Sequence, residues 1–372
     1  MQWWNISFSR MYFVLMNEIQ SLFEDSCCEL EGKQKTNPQA LIFCEKEMVE
    51  SRCKYRVGRI FSVTFASDFM KEKRTIGGKK TSPFGGTGVA IITPFKNDGS
   101  VDFVGLTKVI EHIIKGKCEY IVVMGTTGES PSLSKEEKHV VLEHAIHIVN
   151  GRVPIVYGIG GFNTAEVVNQ LQTTNLIGVS GILSVSPYYN KPNQRGIYEH
   201  YKNVAQASPL PVILYNVPGR TAMNMTAETT LRIAHDFPRI VGIKEASGNL
   251  EQIMAIIKDR PKDFLVISGD DLLTLPIIAS GAEGVISVVA NAYPKQFSEM
   301  VRLFLQGDFV QGNVLHYKLM RITQLFFADG NPGGVKVAME LMKLCKANVR
   351  LPLYEVNDAV RNAIRAEARK IK

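Results

Sequence analysis

A single lysine sits inside the apolar run Val241-Gly242-Ile243-Lys244-Glu245-Ala246. Side chains on a strand alternate with a period of two. Lys244 therefore shares a face with Gly242 and Ala246, both small. An ammonium held there loses water, and desolvation favours the neutral amine. A neutral lysine amine attacks carbonyl carbons and forms Schiff bases. The plain alternative is a lysine at a strand end whose stem is covered and whose charge snorkels to solvent.

Other reactive residue types gather in four short segments. They are Gly125-Thr126-Thr127-Gly128-Glu129-Ser130, Ser186-Pro187-Tyr188-Tyr189-Asn190-Lys191-Pro192, Tyr215-Asn216-Val217-Pro218-Gly219-Arg220-Thr221 and Ser268-Gly269-Asp270-Asp271. An imine on Lys244 would act as an electron sink and let a neighbouring methyl lose a proton. The resulting enamine is a carbon nucleophile. Every step moves a proton, and tyrosine, with an ordinary pKa of about 10, relays protons when another hydroxyl holds it. Tyr215, Thr126 and Tyr189 supply three hydroxyls. Backbone N–H groups around Thr126-Thr127-Gly128 can hold a carboxylate, and the planar fork of Arg220 can hold a second. A keto acid and a second acid form the natural substrate pair.

Each segment also has a structural reading. Gly125–Ser130 reads as a turn whose hydroxyls cap the next helix. Tyr188-Tyr189 reads as a packed aromatic corner, Arg220 as a solvated loop charge, and Asp270-Asp271 as a cap on a helix starting at Leu272. Gly158-Ile159-Gly160-Gly161 does not fit the G-x-G-x-x-G dinucleotide pattern. What these separate readings leave unexplained is the shared location.

That location follows from the elements. The predicted strands are Gly88–Thr93, Tyr120–Met124, Pro154–Ile159, Gly181–Ser186, Pro211–Asn216, Ile240–Glu245, Phe264–Ser268 and Gly284–Val289. Helical patterns alternate with them at Phe103–Ile114, Lys135–Val149, Ala165–Asn175, Gly196–Ala207, Ala227–His235, Leu250–Lys258 and Leu272–Ala279, the second opening on a Ser134-x-x-Glu137 capping box. Near-continuous apolar strands alternating with helices make a parallel sheet. Eight such units over about 200 residues match an α/β fold of the (β/α)8 TIM barrel type. Barrel enzymes build their sites at the C-terminal strand ends, where the four segments and Lys244 all fall. The expected organisation is an N-terminal extension over 1–82, a catalytic barrel over 83–292 and a C-terminal helical domain over 293–372.

The 372 residues are 45% hydrophobic and 21% charged, with a net charge of +7, an ordinary globular composition. No Lys/Arg block interleaves with aromatics, so nucleic acid is not an expected partner. No apolar run reaches the roughly 18–20 residues of a membrane span. The first 80 residues hold both tryptophans and four of the six cysteines, Cys27, Cys28, Cys44 and Cys53. They show no sustained period, and their acidic residues argue against a transit peptide. They read as a poorly ordered extension or as translation from a start upstream of the true one, with Met70 as an alternative. The cysteines fit neither a zinc site nor a simple disulfide framework. Reduced thiols and a cytoplasmic location are expected. A metal-dependent barrel lyase lacks a ligand set at the strand ends, and an inert scaffold barrel would not need every hydroxyl and the amine in place.

From about residue 84 to the C-terminus, the four segments and Gly242-Ile243-Lys244-Glu245-Ala246, in this order, resemble the dihydrodipicolinate synthase family. The resemblance implies condensation of pyruvate with L-aspartate 4-semialdehyde to 4-hydroxy-tetrahydrodipicolinate, the first committed step toward diaminopimelate and lysine. It implies an imine between Lys244 and pyruvate with no other cofactor and no metal. Tyr215 would pass protons over the imine, and Thr126 would link Tyr215 to Tyr189 of a neighbouring subunit in a homotetramer. Thr127 and the adjacent backbone would bind the pyruvate carboxylate, Ile286 would offer a backbone contact, and Arg220 would bind the semialdehyde's carboxylate. The same superfamily contains N-acetylneuraminate lyase and sugar-acid aldolases, which usually lack an arginine in the position of Arg220. The chain departs from lysine-inhibited members at Lys135, Lys138 and Phe162, while Glu166 and Tyr188 are retained. Extra cations repel a cationic effector, so lysine inhibition is expected to be weak or absent.

Overall fold

The computed structural model of the chain describes residues 82–371 and the segments Thr75–Ile76 and Lys79–Lys80, which pair as a small antiparallel ribbon. Apart from these, the expected extension over 1–82 lies outside the described residues, as do Cys27, Cys28, Cys44 and Cys53. The described residues fall within one compact unit, Ala66–Lys372.

Eight strands form the centre: β1 (Gly86–Ala90), β2 (Tyr120–Val123), β3 (Ile155–Gly158), β4 (Gly181–Val185), β5 (Val212–Asn216), β6 (Ile240–Glu245), β7 (Leu265–Ser268) and β8 (Gly284–Ser287). Each pairs in parallel with the next, and β8 returns to β1, closing the TIM barrel. The helices between them are α1 (Phe103–Lys115), α2 (Lys135–Val149), α3 (Thr164–Thr173), α4 (Gln194–Ala207), α5 (Ala227–Asp236), α6 (Leu250–Asp259), α7 (Thr274–Ala279) and α8 (Pro294–Leu305).

The strands are apolar on both faces because both faces are covered. Ala90, Tyr120, Val122, Val156, Leu183, Ile213, Tyr215, Leu265, Ile267 and Ile286 cluster inside the barrel. Their neighbours in sequence, such as Ile121, Val212, Leu214 and Ile243, join the larger layer between strands and helices. Most helices start on a side-chain cap. Ser134 and Glu137 satisfy each other's backbone N–H groups in the expected capping box, at 3.2 and 3.0 Å, a device of about 1 kcal/mol.

Most expected boundaries shift by a residue or two, and three of the differences have a clear physical reason. The first strand, expected over Gly88–Thr93, runs over Gly86–Ala90, because the Ile92 N–H leaves the ladder to donate to Asn291 Oδ1 at 3.0 Å. The helix expected from Leu272 starts at Thr274, since Asp270 Oδ1 accepts from both Leu272 N and Leu273 N and spends a turn before it. Beyond the expected barrel edge at residue 292, α8 still packs on β1 and α1 and is the barrel's closing helix. The appended helices are α9 (Phe309–Phe327), α10 (Gly333–Leu341) and α11 (Asp358–Ala368).

Candidate active site

Lys244 and Tyr215 are register partners on adjacent strands β6 and β5. Both point into the barrel, and the lysine is 5% exposed. Lys244 Nζ stands 4.3 Å from the centroid of the Tyr215 ring, and no carboxylate pairs with it among the described residues. Space beside the amine is kept by Gly269. A Cβ there would lie 3.1 Å from Lys244 Cε and 2.6 Å from Ala246 Cβ.

The wall carrying these two side chains is braced from behind. Glu245 faces the opposite way and is fully buried. Its carboxylate accepts from Asn216 Nδ2 at 3.2 and 3.1 Å and from Ser247 N at 2.8 Å. Burial pushes the Glu245 carboxyl up, and these donors oppose the rise. Asn216 Oδ1 in turn accepts from Met225 N at 3.0 Å. The C-terminal ends of β5 and β6 are thus locked to the loop that follows β5.

After β2 the chain makes a tight turn over Thr126–Gly128. It is entered through Met124 and left through Glu129, with φ of 59° and 54°, a left-handed conformation that costs energy outside glycine and concentrates at functional sites. Gly158 of β3 makes room for this turn, since a Cβ there would lie 2.2 Å from the Met124 carbonyl oxygen. That explains one glycine of the Gly158–Gly161 run. Thr126 is half-buried and Thr127 buried. The leading N–H groups of such a turn have no partner within it.

The remaining candidates lie around the rim. Ile286, on β8, lines the barrel interior with Tyr215 and Ile267. Arg220 is exposed in a one-turn helix, Pro218–Thr221, that follows β5. Tyr189 is 85% exposed and its ring lies 6.3 Å from that of Phe162. Among the described residues no hydrogen bond joins Thr126, Tyr215 and Tyr189, so one chain brings Tyr215 and Lys244 together but leaves the three hydroxyls unconnected. Phe162 also meets Tyr188 edge to face at 5.3 Å. Lys135 and Lys138 share the first turn of α2, and the Lys138 ammonium is pulled down by burial and then by Lys135.

Of the paired aspartates, Asp270 is the cap, and Asp271 has another task. It is buried, and its Oδ2 accepts from Val288 N and Val289 N at 3.0 and 3.3 Å. This ties the end of β7 to the end of β8, beside Ile286. Burial raises its carboxyl to about 6 against the pull of Ser287 and the two amides.

Sequence reasoning overlooked the contribution of the C-terminal segment. Asn331 Nδ2 donates to Thr127 Oγ1 at 3.1 Å. Lys336 of α10 is wholly buried and forms an ion pair with Glu129. Arg350 N donates to the other Glu129 oxygen at 2.9 Å. One signal was available: Lys336 is a lone lysine in the apolar run Gly334-Val335-Lys336-Val337-Ala338, the same mark that singles out Lys244. Among the described residues no cluster of three or more His, Cys, Asp or Glu could hold a metal ion. No described helix is long and apolar enough to cross a membrane. Cys118 and Cys345 are free.

A closed parallel barrel whose C-terminal rim gathers a buried amine, a tyrosine ring and a braced turn is the architecture of a (β/α)8 enzyme. The chain belongs to the dihydrodipicolinate synthetase family, whose model matches residues 83–371. It is 54% identical over 281 residues to a 4-hydroxy-tetrahydrodipicolinate synthase of Flavobacterium psychrophilum, covering 76% of this chain and 96% of the relative. The crystal structure of dihydrodipicolinate synthase from Aquifex aeolicus superposes with a TM-score of 0.75 at 41% identity, over 77% of this chain and 98% of that one. A monomeric dihydrodipicolinate synthase variant superposes with a TM-score of 0.76 at 35% identity, over 78% and 97%.

Proposed function

We propose that the protein condenses pyruvate with L-aspartate 4-semialdehyde through an imine on Lys244, giving 4-hydroxy-tetrahydrodipicolinate. The observation that carries this reading is the buried Lys244 amine 4.3 Å from the Tyr215 ring at the barrel mouth. The uncharged amine attacks the keto carbon of pyruvate to give a carbinolamine, and loss of water gives the imine. The methyl group gives up a proton and becomes the enamine carbon. That carbon attacks the aldehyde, forming the C–C bond. The amino group of the semialdehyde then attacks the imine carbon, closes the ring and returns the lysine as a free amine. One water is released overall.

Tyr215 is the group placed to pass protons above the imine. In this reading Thr126 connects it to Tyr189 of a second subunit. An exposed tyrosine beside the exposed Phe162 supports a contribution across an interface, and a homotetramer is the assembly we propose. The turn at Thr126–Thr127 holds the pyruvate carboxylate, with the Ile286 backbone close to that end. Arg220 receives the second carboxylate at the rim. No cofactor or metal enters this chemistry, and we place the enzyme in the cytoplasm, in keeping with the free thiols of Cys118 and Cys345.

The test is a coupled assay with both substrates, set against cleavage of N-acetylneuraminate and of 2-keto-3-deoxy sugar acids. Condensation with little or no cleavage is expected. Cleavage as the faster reaction would replace this reading with another pyruvate aldolase of the same fold. A separate expectation concerns regulation. With Lys135 and Lys138 on one helical turn and Phe162 in place of a polar group, L-lysine up to about 1 mM should leave the rate within about 20% of its uninhibited value. A dose-dependent fall in that range would show that the two cations do not exclude it.

A further inference from the structure

Thr127 is not free to turn its hydroxyl at will. It is 2% exposed, and its Oγ1 accepts a hydrogen bond from Asn331 Nδ2, a residue 7% exposed and 204 positions away. A hydroxyl carries one proton and two lone pairs. Where an amide N–H occupies a lone pair, the hydroxyl proton cannot be given to that same amide and must be donated elsewhere. The acceptor that most strengthens such a bond is an anion, because charge-assisted hydrogen bonds are about twice as strong as neutral ones.

We infer that Asn331 is a positioning residue that commits the Thr127 hydroxyl to donating toward the keto-acid carboxylate. This rests on the reading of Lys244 and the Thr126–Thr127 turn given above. The Asn331 Oδ1 is buried with no hydrogen-bond partner among the described residues, so its amide is placed by the Thr127 contact and by the segment that follows it. Asn331 lies just before α10, whose Lys336 pairs with Glu129 two residues after Thr127. Lys336 Nζ also donates to the Asn348 carbonyl at 2.7 Å, and Arg350 N donates to Glu129. The same C-terminal segment therefore grips the turn at its carboxylate and sets the polarity of its hydroxyl.

The inference separates two substitutions of nearly equal size. In Asn331→Asp the side chain can only accept while ionised, so it accepts the Thr127 hydroxyl's hydrogen bond and presents a charge to the substrate anion. The expected result is a KM for pyruvate raised about 10-fold, with a smaller effect on kcat and none on KM for the semialdehyde. As pH falls and that carboxyl protonates, it can donate again and the KM should recover. Asn331→Ala removes the donor without adding an acceptor and should raise the KM about 3-fold. It carries the test if the aspartate variant does not fold. Asn331→Ala should not add to the effect of Thr127→Val, because it acts through that hydroxyl alone, whereas Asn331→Asp keeps in that background the part of its effect that comes from its charge.

A purely structural role for Asn331 predicts the opposite pattern. The effect of Asn331→Ala would multiply with that of Thr127→Val, and both Asn331 variants would lose kcat and thermal stability, with no recovery at low pH. That pattern, or an unchanged KM in both Asn331 variants, overturns the inference. Borohydride trapping of the unaltered enzyme with pyruvate separates the two levels. A trapped enzyme with indifferent variants removes only the role of Asn331. An enzyme that is never trapped removes the imine, and the role of Asn331 with it.

Discussion

Lys244→Ala should abolish the covalent mass adduct that pyruvate and borohydride leave on the enzyme, and should lower kcat by about 10^4-fold or more. The magnitude follows from what the amine does. It makes the electron sink without which the methyl proton of pyruvate is not removed at neutral pH, so there is no weaker version of the same pathway to fall back on. Lys244→Arg sharpens the test. It keeps a cation and a long stem but offers no nucleophile, because guanidinium does not deprotonate in proteins. It should be as inactive as the alanine variant.

The fold is expected to survive. Lys244 forms no ion pair among the described residues, and its removal leaves space beside Gly269 and Ala246 rather than an unpaired charge. A melting temperature close to that of the unaltered protein, together with lost trapping, assigns the loss to chemistry. Trapping that persists in Lys244→Ala at the level of the unaltered protein would move the imine to another lysine and dismantle the site built here.

The burial of Lys244 was legible because two local signals coincide in it, an apolar strand and small neighbours two residues away on either side. The barrel was legible for a related reason. Strand and helix periods are local, and their strict alternation leaves few architectures. What escaped depends on contacts across long stretches of chain. Asn331 and Thr127 are 204 residues apart, and Lys336 and Glu129 are 207. Nothing in the spacing of either pair announces a partner. Glu129 read only as a member of the Gly125–Ser130 turn, and the fold shows that it is buried.

The boundary errors have the same origin. Ile92 looks like a strand residue until Asn291, far along the chain, takes its N–H. Asp271 looks like a helix cap until it is seen reaching to Val288 and Val289 on the next strand. Tyr189 is the reverse case. It stood out in the sequence as a hydroxyl, but one chain leaves it 85% exposed, and its task in the proposed mechanism requires a second copy.

The buried pair between Lys336 and Glu129 carries the largest stability effect. Both side chains are completely inaccessible. Burial alone pulls the Lys336 ammonium down, and Glu129 opposes that pull. Lys336→Met fills nearly the same volume but leaves the Glu129 carboxylate with one backbone donor, the Arg350 N–H, and only the Arg350 guanidinium, which is not in hydrogen-bond contact, as a countercharge. Breaking such a pair from one side costs about 3–5 kcal/mol, which for a unit of this size corresponds to a fall in melting temperature of roughly 5–8 °C.

The double variant Glu129→Gln with Lys336→Met should recover much of that loss, because no unpaired charge is then buried. A recovery of at least about half is expected in the thermal melt. Activity should not recover in step. The turn over Thr126–Gly128 leaves through a left-handed residue, Glu129, and that strained geometry needs the grip of α10 to hold Thr127 where the proposed function places the substrate carboxylate. A stable double variant with a raised KM for pyruvate would separate the two roles of the pair, supporting the fold and shaping the turn. A Lys336→Met protein that melts with the unaltered one would show that the barrel and its C-terminal helices do not depend on this contact.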